Sequence, residues 1–203
     1  GVPAVLNLSL GGGISGELDN AVNNAIVDGI VVVVAAGNDG DDLDVTKRNA
    51  CNYSPARVPD AITVGATTSA DTRAIFSNIG SCVDLFAPGQ SIKSTWLNGS
   101  TNTISGTSMA APHVAGAAAA IWGANLTATS SSIQSLTLAA VTANKLTNVP
   151  NGTPNLLLYV PAGNGVAPST PLNVAAVGGP GRATLTWQAP TDSGSSAITG
   201  YTI

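Results

Sequence analysis

A hydroxyl at the start of a helix can serve as a nucleophile, and one stretch of this chain offers such a hydroxyl. The stretch is Ile104-Ser105-Gly106-Thr107-Ser108-Met109-Ala110-Ala111-Pro112-His113-Val114-Ala115-Gly116. Gly106 permits a tight turn whose backbone angles other residues adopt only at a cost. From Ala110 to Ala120 the small residues read as a helix, with Pro112 in its first turn, where the missing N–H has no partner to lose. Ser108 then sits at the helix N-terminus, among unpaired N–H groups and the positive end of the dipole. An oxyanion formed beside that hydroxyl would find electrostatic support. Local physics also supports a second reading, a buried alanine helix that happens to begin near a serine. The Ala/Gly-rich body predicts close backbone approach and burial on most sides.

Other residues invite other chemistry. Gly11, Gly13 and Gly16 spell G-x-G-x-x-G between a strand-like run and a helix, as a dinucleotide-binding fold would. Such a fold wants an acid about twenty positions later; Asp39 follows Gly16 by 23 but lies past the expected strand tip. The run from Asp39 to Asp44 reads as a solvated acidic loop, and its spacing misses the calcium-loop pattern. Cys51 and Cys82, the only cysteines, leave two readings open: a pair of free buried thiols, or a disulfide. The only histidine, His113, lies five residues after Ser108, about 140° around a helix, so it should not reach that hydroxyl. An α/β-hydrolase elbow, G-x-S-x-G after a strand, is disfavoured: position 110 is Ala, and Asn98 to Asn102 reads as loop.

These residues need a scaffold. Ala4 to Leu10 reads as a buried parallel strand ended by glycines. Leu18, Ala21, Val22, Ala25 and Ile26 follow at helical spacing, with Ser15 as N-cap and Gly29 just past the C-terminus. Ile30 to Ala36 is a second strand, so the unit is βαβ. Val58 to Ala66 and Asn155 to Val160 read as further strands, and Ile133, Leu136, Ala140 and Val141 as a weaker helix. The expected class is α/β, a parallel sheet with helices on both faces. Residues 161–170 read as a linker, and 171–203 change character: Leu172, Val174 and Ala176 alternate, then Ala183 to Trp187, then Tyr201.

The eleven residues from Gly106 to Gly116 resemble the nucleophile motif of the subtilisin-like serine proteases. Asn7-Leu8-Ser9-Leu10-Gly11-Gly12-Gly13 and Ala35-Ala36-Gly37-Asn38 are similar to two more signatures of that family. The resemblance implies Ser108 as nucleophile and Asn38 as oxyanion donor. It implies that Ser9, Leu10 and Gly11 pair with an extended substrate as an added strand. It also implies that Ala35, Ala36 and Gly37 line the pocket for the side chain before the scissile bond. Residues 51–56 and 76–84 resemble the extracellular, aqualysin-type branch of the proteinase K group, which implies a Cys51–Cys82 disulfide and an oxidising compartment. The same branch implies structural calcium held by the Pro59 and Ala61 carbonyls and the Asp84 carboxylate. Residues 171–203 look like the first strands of a fibronectin type III domain, with Trp187 and Tyr201 as core aromatics and the chain ending in mid-strand at Ile203.

Composition bounds the partners. Of 203 residues only 9% are charged and the balance is −4, so no basic stripe exists to recruit nucleic acid. Apolar residues make up 44% in periodic arrangement, which does not suggest a disordered chain. The longest apolar runs, Ile30 to Gly37 and Ala115 to Gly123, are too short to span a bilayer. Gly1 leads at once into strand-like sequence and Met109 is the only methionine, so the chain reads as a segment of a longer precursor. The expectation is a secreted, monomeric serine endopeptidase acting on extended peptides, with no cofactor for catalysis. Its triad Asp and His precede this segment, so the chain alone should be inactive. The rivals are a non-catalytic, protease-like binding protein and a dinucleotide-binding enzyme.

Overall fold

The computed structural model describes residues 3–160, 169–179, 181–193, 198, 200 and 201. Its residues fall into two compact units, Gly1–Val160 and Pro161–Ile203. The expected linker over 161–168 and the chain end at Ile203 lie outside the described residues.

The first unit begins with β1 (Val5–Leu8), α1 (Gly16–Val27) and β2 (Val31–Ala35). Ser15 caps α1, its Oγ accepting the Leu18 N–H at 3.3 Å, and Gly29 turns the chain back with φ of 88°. The strands β3 (Ile62–Thr67), β4 (Leu85–Pro88), β7 (Val141–Ala143) and β8 (Leu156–Leu158) complete a sheet ordered β1-β2-β3-β4-β8-β7. Every neighbouring pair is parallel except β7 with β8.

β2 explains why the sheet is covered twice. All five of its residues are buried. Val32 and Val34 pack with Val22 of α1 and with Val58, while Val31, Val33 and Ala35 join the core on the opposite face. A strand buried on both sides has no polar alternation to keep, hence the uninterrupted valines. Each buried valine contributes about 1.5–3 kcal/mol.

The opposite face is covered by α2 (Thr107–Ala124), against which α3 (Ser130–Ala139) packs. α2 starts three residues earlier than the alanine run suggests, so Pro112 lies inside it rather than in the first turn. Its burial is also narrower than expected. Ala110, Ala111, Val114, Ala117, Ala118 and Ile121 are buried, whereas Pro112, His113, Gly116 and Ala119 are exposed. One stripe suffices to seat a helix on a sheet, and alanines on the outer side make the two faces look alike in sequence. α3 ends before Val141, which opens β7.

A hairpin leads into α2. β5 (Ile92–Thr95) pairs antiparallel with β6 (Thr101–Ile104), so Thr101 and Asn102 lie in a strand where a loop was expected. β6 is exposed for three of its four residues, and a strand with no buried face carries no apolar alternation to betray it. Ser108 therefore does follow a strand, and the hydrolase elbow pattern fails only at Ala110.

In the second unit β9 (Leu172–Gly179) and β10 (Arg182–Gln188) form an antiparallel pair. The Trp187 and Tyr201 rings meet edge to face, with centroids 5.1 Å apart.

Candidate active site

The tip of β2 and the start of α2 meet through hydrogen bonds spanning about seventy positions. The Asn38 Oδ1 accepts both the Thr107 N–H at 2.8 Å and the Thr107 hydroxyl at 2.9 Å. The Thr107 Oγ1 in turn accepts the Gly37 N–H at 3.2 Å. Two donors on one side require the carboxamide oxygen there, so the Nδ2 group is the end left to act elsewhere. Thr107 is fully buried, and no sequence motif had singled it out for a role.

Asn78, also fully buried, holds the same tip from behind. Its Nδ2 donates to the Ala36 carbonyl at 3.0 Å, its Oδ1 accepts the Asp39 N–H at 2.8 Å, and its own N–H donates to the Gly37 carbonyl at 3.0 Å. Gly37 has φ of 104°, and a β-carbon there would overlap the Asn78 carboxamide. Glycine is thus required twice over at this position, by angle and by space.

Gly106 is nearly extended, with φ 159° and ψ 161°. The turn expected there is gentler than predicted, and room is what the glycine supplies. A β-carbon on Gly106 would lie 3.5 Å from the Asn38 Nδ2 and 3.6 Å from the Ser108 N. One point in space is therefore close to both donors, and only a glycine leaves it vacant.

Asn38 and Ser108 both line a cavity of about 440 Å³, with Leu10, Gly11, Ala35, Ala36 and Gly37, together with Gly12, Asp39, Tyr53, Ala56 and Thr107. Ser9 reaches Ser108 directly: its hydroxyl donates to the Ser108 carbonyl at 2.7 Å, and the Ser108 Oγ donates to the Ser9 carbonyl at 3.3 Å. Burial, and after it the nearby Asp39 carboxylate, push the Tyr53 phenol above its ordinary range. The structure thus gathers Ser9, Leu10, Gly11, Ala35, Ala36, Gly37, Asn38 and Ser108 at one cleft.

A sequence profile of the Subtilase family matches residues 3–157. The chain belongs to the subtilase family. It is 60% identical over 161 residues to the extracellular serine proteinase of Thermus sp. (strain Rt41A), covering 78% of this chain and 38% of that protein. It is 50% identical over 157 residues to the alkaline serine exoprotease A of Vibrio alginolyticus, covering 77% of this chain and 28% of that one. Among solved structures it resembles a cold-adapted subtilisin-like serine proteinase, with a TM-score of 0.72 and 51% identity, covering 78% of this chain and 55% of the other. The chain thus spans about two fifths or less of these curated relatives.

The remaining candidates of this subtilase have other surroundings. The His113 Nδ1 is bonded to the Met109 carbonyl at 2.8 Å, in its own helix, and the Ser108 hydroxyl is bonded to Ser9 instead. The glycine loop faces the cleft, tied by reciprocal backbone bonds between Gly12 and Ser54. Glu17 and Asp19 occupy the first turn of α1, where a dinucleotide would need to place its phosphates. Cys51 and Cys82 form a disulfide, with Cα atoms 5.3 Å apart.

Pro59 and Ala61 precede β3 and Asp84 precedes β4, and none of the three lines the cavity. The Asp84 Oδ2 accepts the Thr63 N–H at 2.7 Å. Burial pushes its carboxyl up to about 6, against the lowering effect of that bond. Among the described residues no cation faces this carboxylate. A desolvated carboxylate with no cation opposite it among the described residues is an oxygen donor of the kind a hard cation takes. Among the described residues no group of three or more His, Cys, Asp or Glu side chains is arranged for a metal, so any ion would lean on carbonyls and water.

Proposed function

We propose that this chain carries the nucleophile, the oxyanion donors and the substrate edge of a secreted serine endopeptidase. The observation that carries the reading is the closeness of the Asn38 Nδ2 and the Ser108 N to one point at Gly106, with Asn38 and Ser108 both lining the cleft. In acyl transfer the carbonyl oxygen gains charge as the tetrahedral intermediate forms, and two fixed donors at its position lower that barrier. Ser108 attacks the scissile carbonyl carbon, its proton passes to a base, and the amine leaves from an acyl-enzyme that water then hydrolyses. Leu10 and Gly11, with Ser9, offer backbone groups to an extended peptide, and Ala35, Ala36 and Gly37 line the pocket for its side chain.

The base is not His113, which lies five residues on from Ser108 in α2, about 140° around the helix. The imidazole and the carboxylate that orients it come from residues outside these 203. On that reading the isolated chain hydrolyses no peptide, and the longer protein that contains it does. The names of the Thermus and Vibrio relatives support secretion and proteolysis. Among the described residues no helix is long and apolar enough to cross a membrane. The partner is a peptide chain bound by a monomer, without nucleic acid.

The Cys51–Cys82 bridge supports placement in the proteinase K branch. The Asp84 environment supports a structural calcium held with the Pro59 and Ala61 carbonyls; its role is to stabilise, and catalysis needs no cofactor. Residues 1–160 would be the C-terminal part of the peptidase domain, 161–170 a linker, and 171–203 the start of a fibronectin type III domain. The β9–β10 pair and the Trp187–Tyr201 contact favour that last assignment.

The test is labelling of the longer protein with a fluorophosphonate. Stoichiometric modification of Ser108, abolished in Ser108→Ala together with peptide hydrolysis, is expected. A longer protein that folds but neither labels nor cleaves would favour the rival reading, a protease-like binding protein.

A further inference from the structure

Pro112 is the sixth residue of α2. In an α-helix the N–H of residue 112 would bond the carbonyl of residue 108, and proline has no N–H to give. The Ser108 carbonyl is therefore deprived of its helical partner by sequence. The hydroxyl of Ser9 takes the place, donating at 2.7 Å across 99 positions of chain. The Ser9 hydroxyl is itself oriented, since its oxygen accepts the Asn7 Nδ2 at 2.9 Å. On the other side of the nucleophile, the Thr107 N–H is held by the Asn38 Oδ1. The substrate edge thus holds the Ser108–Met109 peptide plane, and the oxyanion residue holds the Gly106–Thr107 plane one residue before the nucleophile.

We infer that Ser9 is a positioning residue for the nucleophile, acting through the Ser108 carbonyl that Pro112 leaves open. The inference rests on the endopeptidase reading for its consequence, though not for its geometry. Ser9 has a role beyond presenting backbone to substrate: it ties the first turn of α2 to the strand edge that the substrate joins. When a peptide pairs at Leu10 and Gly11, the pull on that edge is met by a bond to the reacting serine itself. The substrate edge and the nucleophile then keep one register.

Two measurements test this, and their failures are separable. In the 203-residue chain, Met109 is the only methionine, so labelling with carbonyl-¹³C serine and ¹⁵N methionine isolates the single Ser108–Met109 peptide in a carbonyl-correlated spectrum. Ser9→Ala should move that carbonyl resonance upfield, Ser9→Thr should return it, and Pro112→Ala should make it insensitive to Ser9→Ala by supplying an N–H. In the longer, peptide-cleaving protein, Ser9→Ala should lower kcat about 3- to 10-fold with KM little changed, as the loss of one hydrogen bond would. Ser9→Thr should restore kcat, and the loss should shrink in the Pro112→Ala background. An unmoved carbonyl resonance in Ser9→Ala overturns the inference, as does a raised KM at constant kcat. Absence of any peptidase activity would sink the endopeptidase reading alone and leave the resonance to decide this one.

Discussion

The two walls of the cleft are built to opposite specifications. The wall from Ala36 to Asp39 is over-determined: Asn78 grips Ala36, Gly37 and Asp39, and Thr107 grips Gly37 and Asn38. Its two principal anchors, Asn78 and Thr107, are fully buried. The facing wall, Ser9 to Gly13, is exposed and is held by the Gly12–Ser54 bridge and the paired serines, Ser9 and Ser108. Charge stabilisation needs a donor that does not move when charge appears, so an Asn38 carboxamide pinned through its Oδ1 to the buried Thr107 suits one side. Strand addition needs backbone groups still free to pair, so an exposed, sparsely bonded edge suits the other. Rigidity and vacancy are divided between the walls.

This contrast can be broken from the rigid side first. Asn38→Ala removes one donor and should cost about 10²–10³ in kcat, the scale seen on removing such a donor in subtilisin, with KM little altered. Gly106→Ala leaves both donors in place and fills the point they share; a loss of about 10² in kcat is expected, comparable to a misplacement of about 1 Å. Unchanged kcat in either variant of the longer protein would show that the donors do not serve the reaction.

A smaller effect sharpens the contrast. Asn78→Ala strands the half-buried Asp39 N–H and the buried Ala36 carbonyl, each formerly bonded to its side chain. Unsatisfied buried groups cost about 1–3 kcal/mol. In denaturant unfolding that loss should appear as a lower midpoint at constant slope. A Gly12→Ala change on the open wall should move the midpoint far less, since a β-carbon there meets nothing within 4 Å. Equal losses at the two positions would remove the distinction between the walls.

The calcium proposal concerns stability alone, on a comparable scale. Chelation should lower Tm in the wild-type protein, and Asp84→Asn should abolish the difference. Saturation at about 100 times Kd corresponds to roughly 2.7 kcal/mol. A Tm indifferent to calcium in the wild type would refute the site.

The fold class was legible because β2 carries its evidence on every residue: an unbroken run of valines can only be buried on both faces. The limits of α2 were not legible, since alanines pack inward and face outward without changing the pattern. β6 was hidden for a related reason, as an exposed strand of Thr and Asn has no apolar face to display. At the cleft the motifs pointed to residues that the structure does bring together, from Ser9 to Ser108. They did not point to Thr107 and Asn78, whose work is to bond other site residues rather than substrate. Thr107 stood inside the serine motif and Asn78 inside Phe76-Ser77-Asn78-Ile79-Gly80, yet no local rule links either to Asn38 across the chain. Pro112 carried a signal that was read as tolerance in a first turn, when the missing N–H instead leaves a carbonyl free for Ser9.

The central claim is that Asn38 and Ser108 serve one oxygen. It is tested most directly by the structure of the longer protein with a phosphonate bound covalently to Ser108. A phosphonyl oxygen is expected about 3 Å from both the Asn38 Nδ2 and the Ser108 N, beside the Gly106 Cα. An adduct on Ser108 whose oxygens all point away from Asn38, or an Asn38 amide turned out of the cleft, would contradict it.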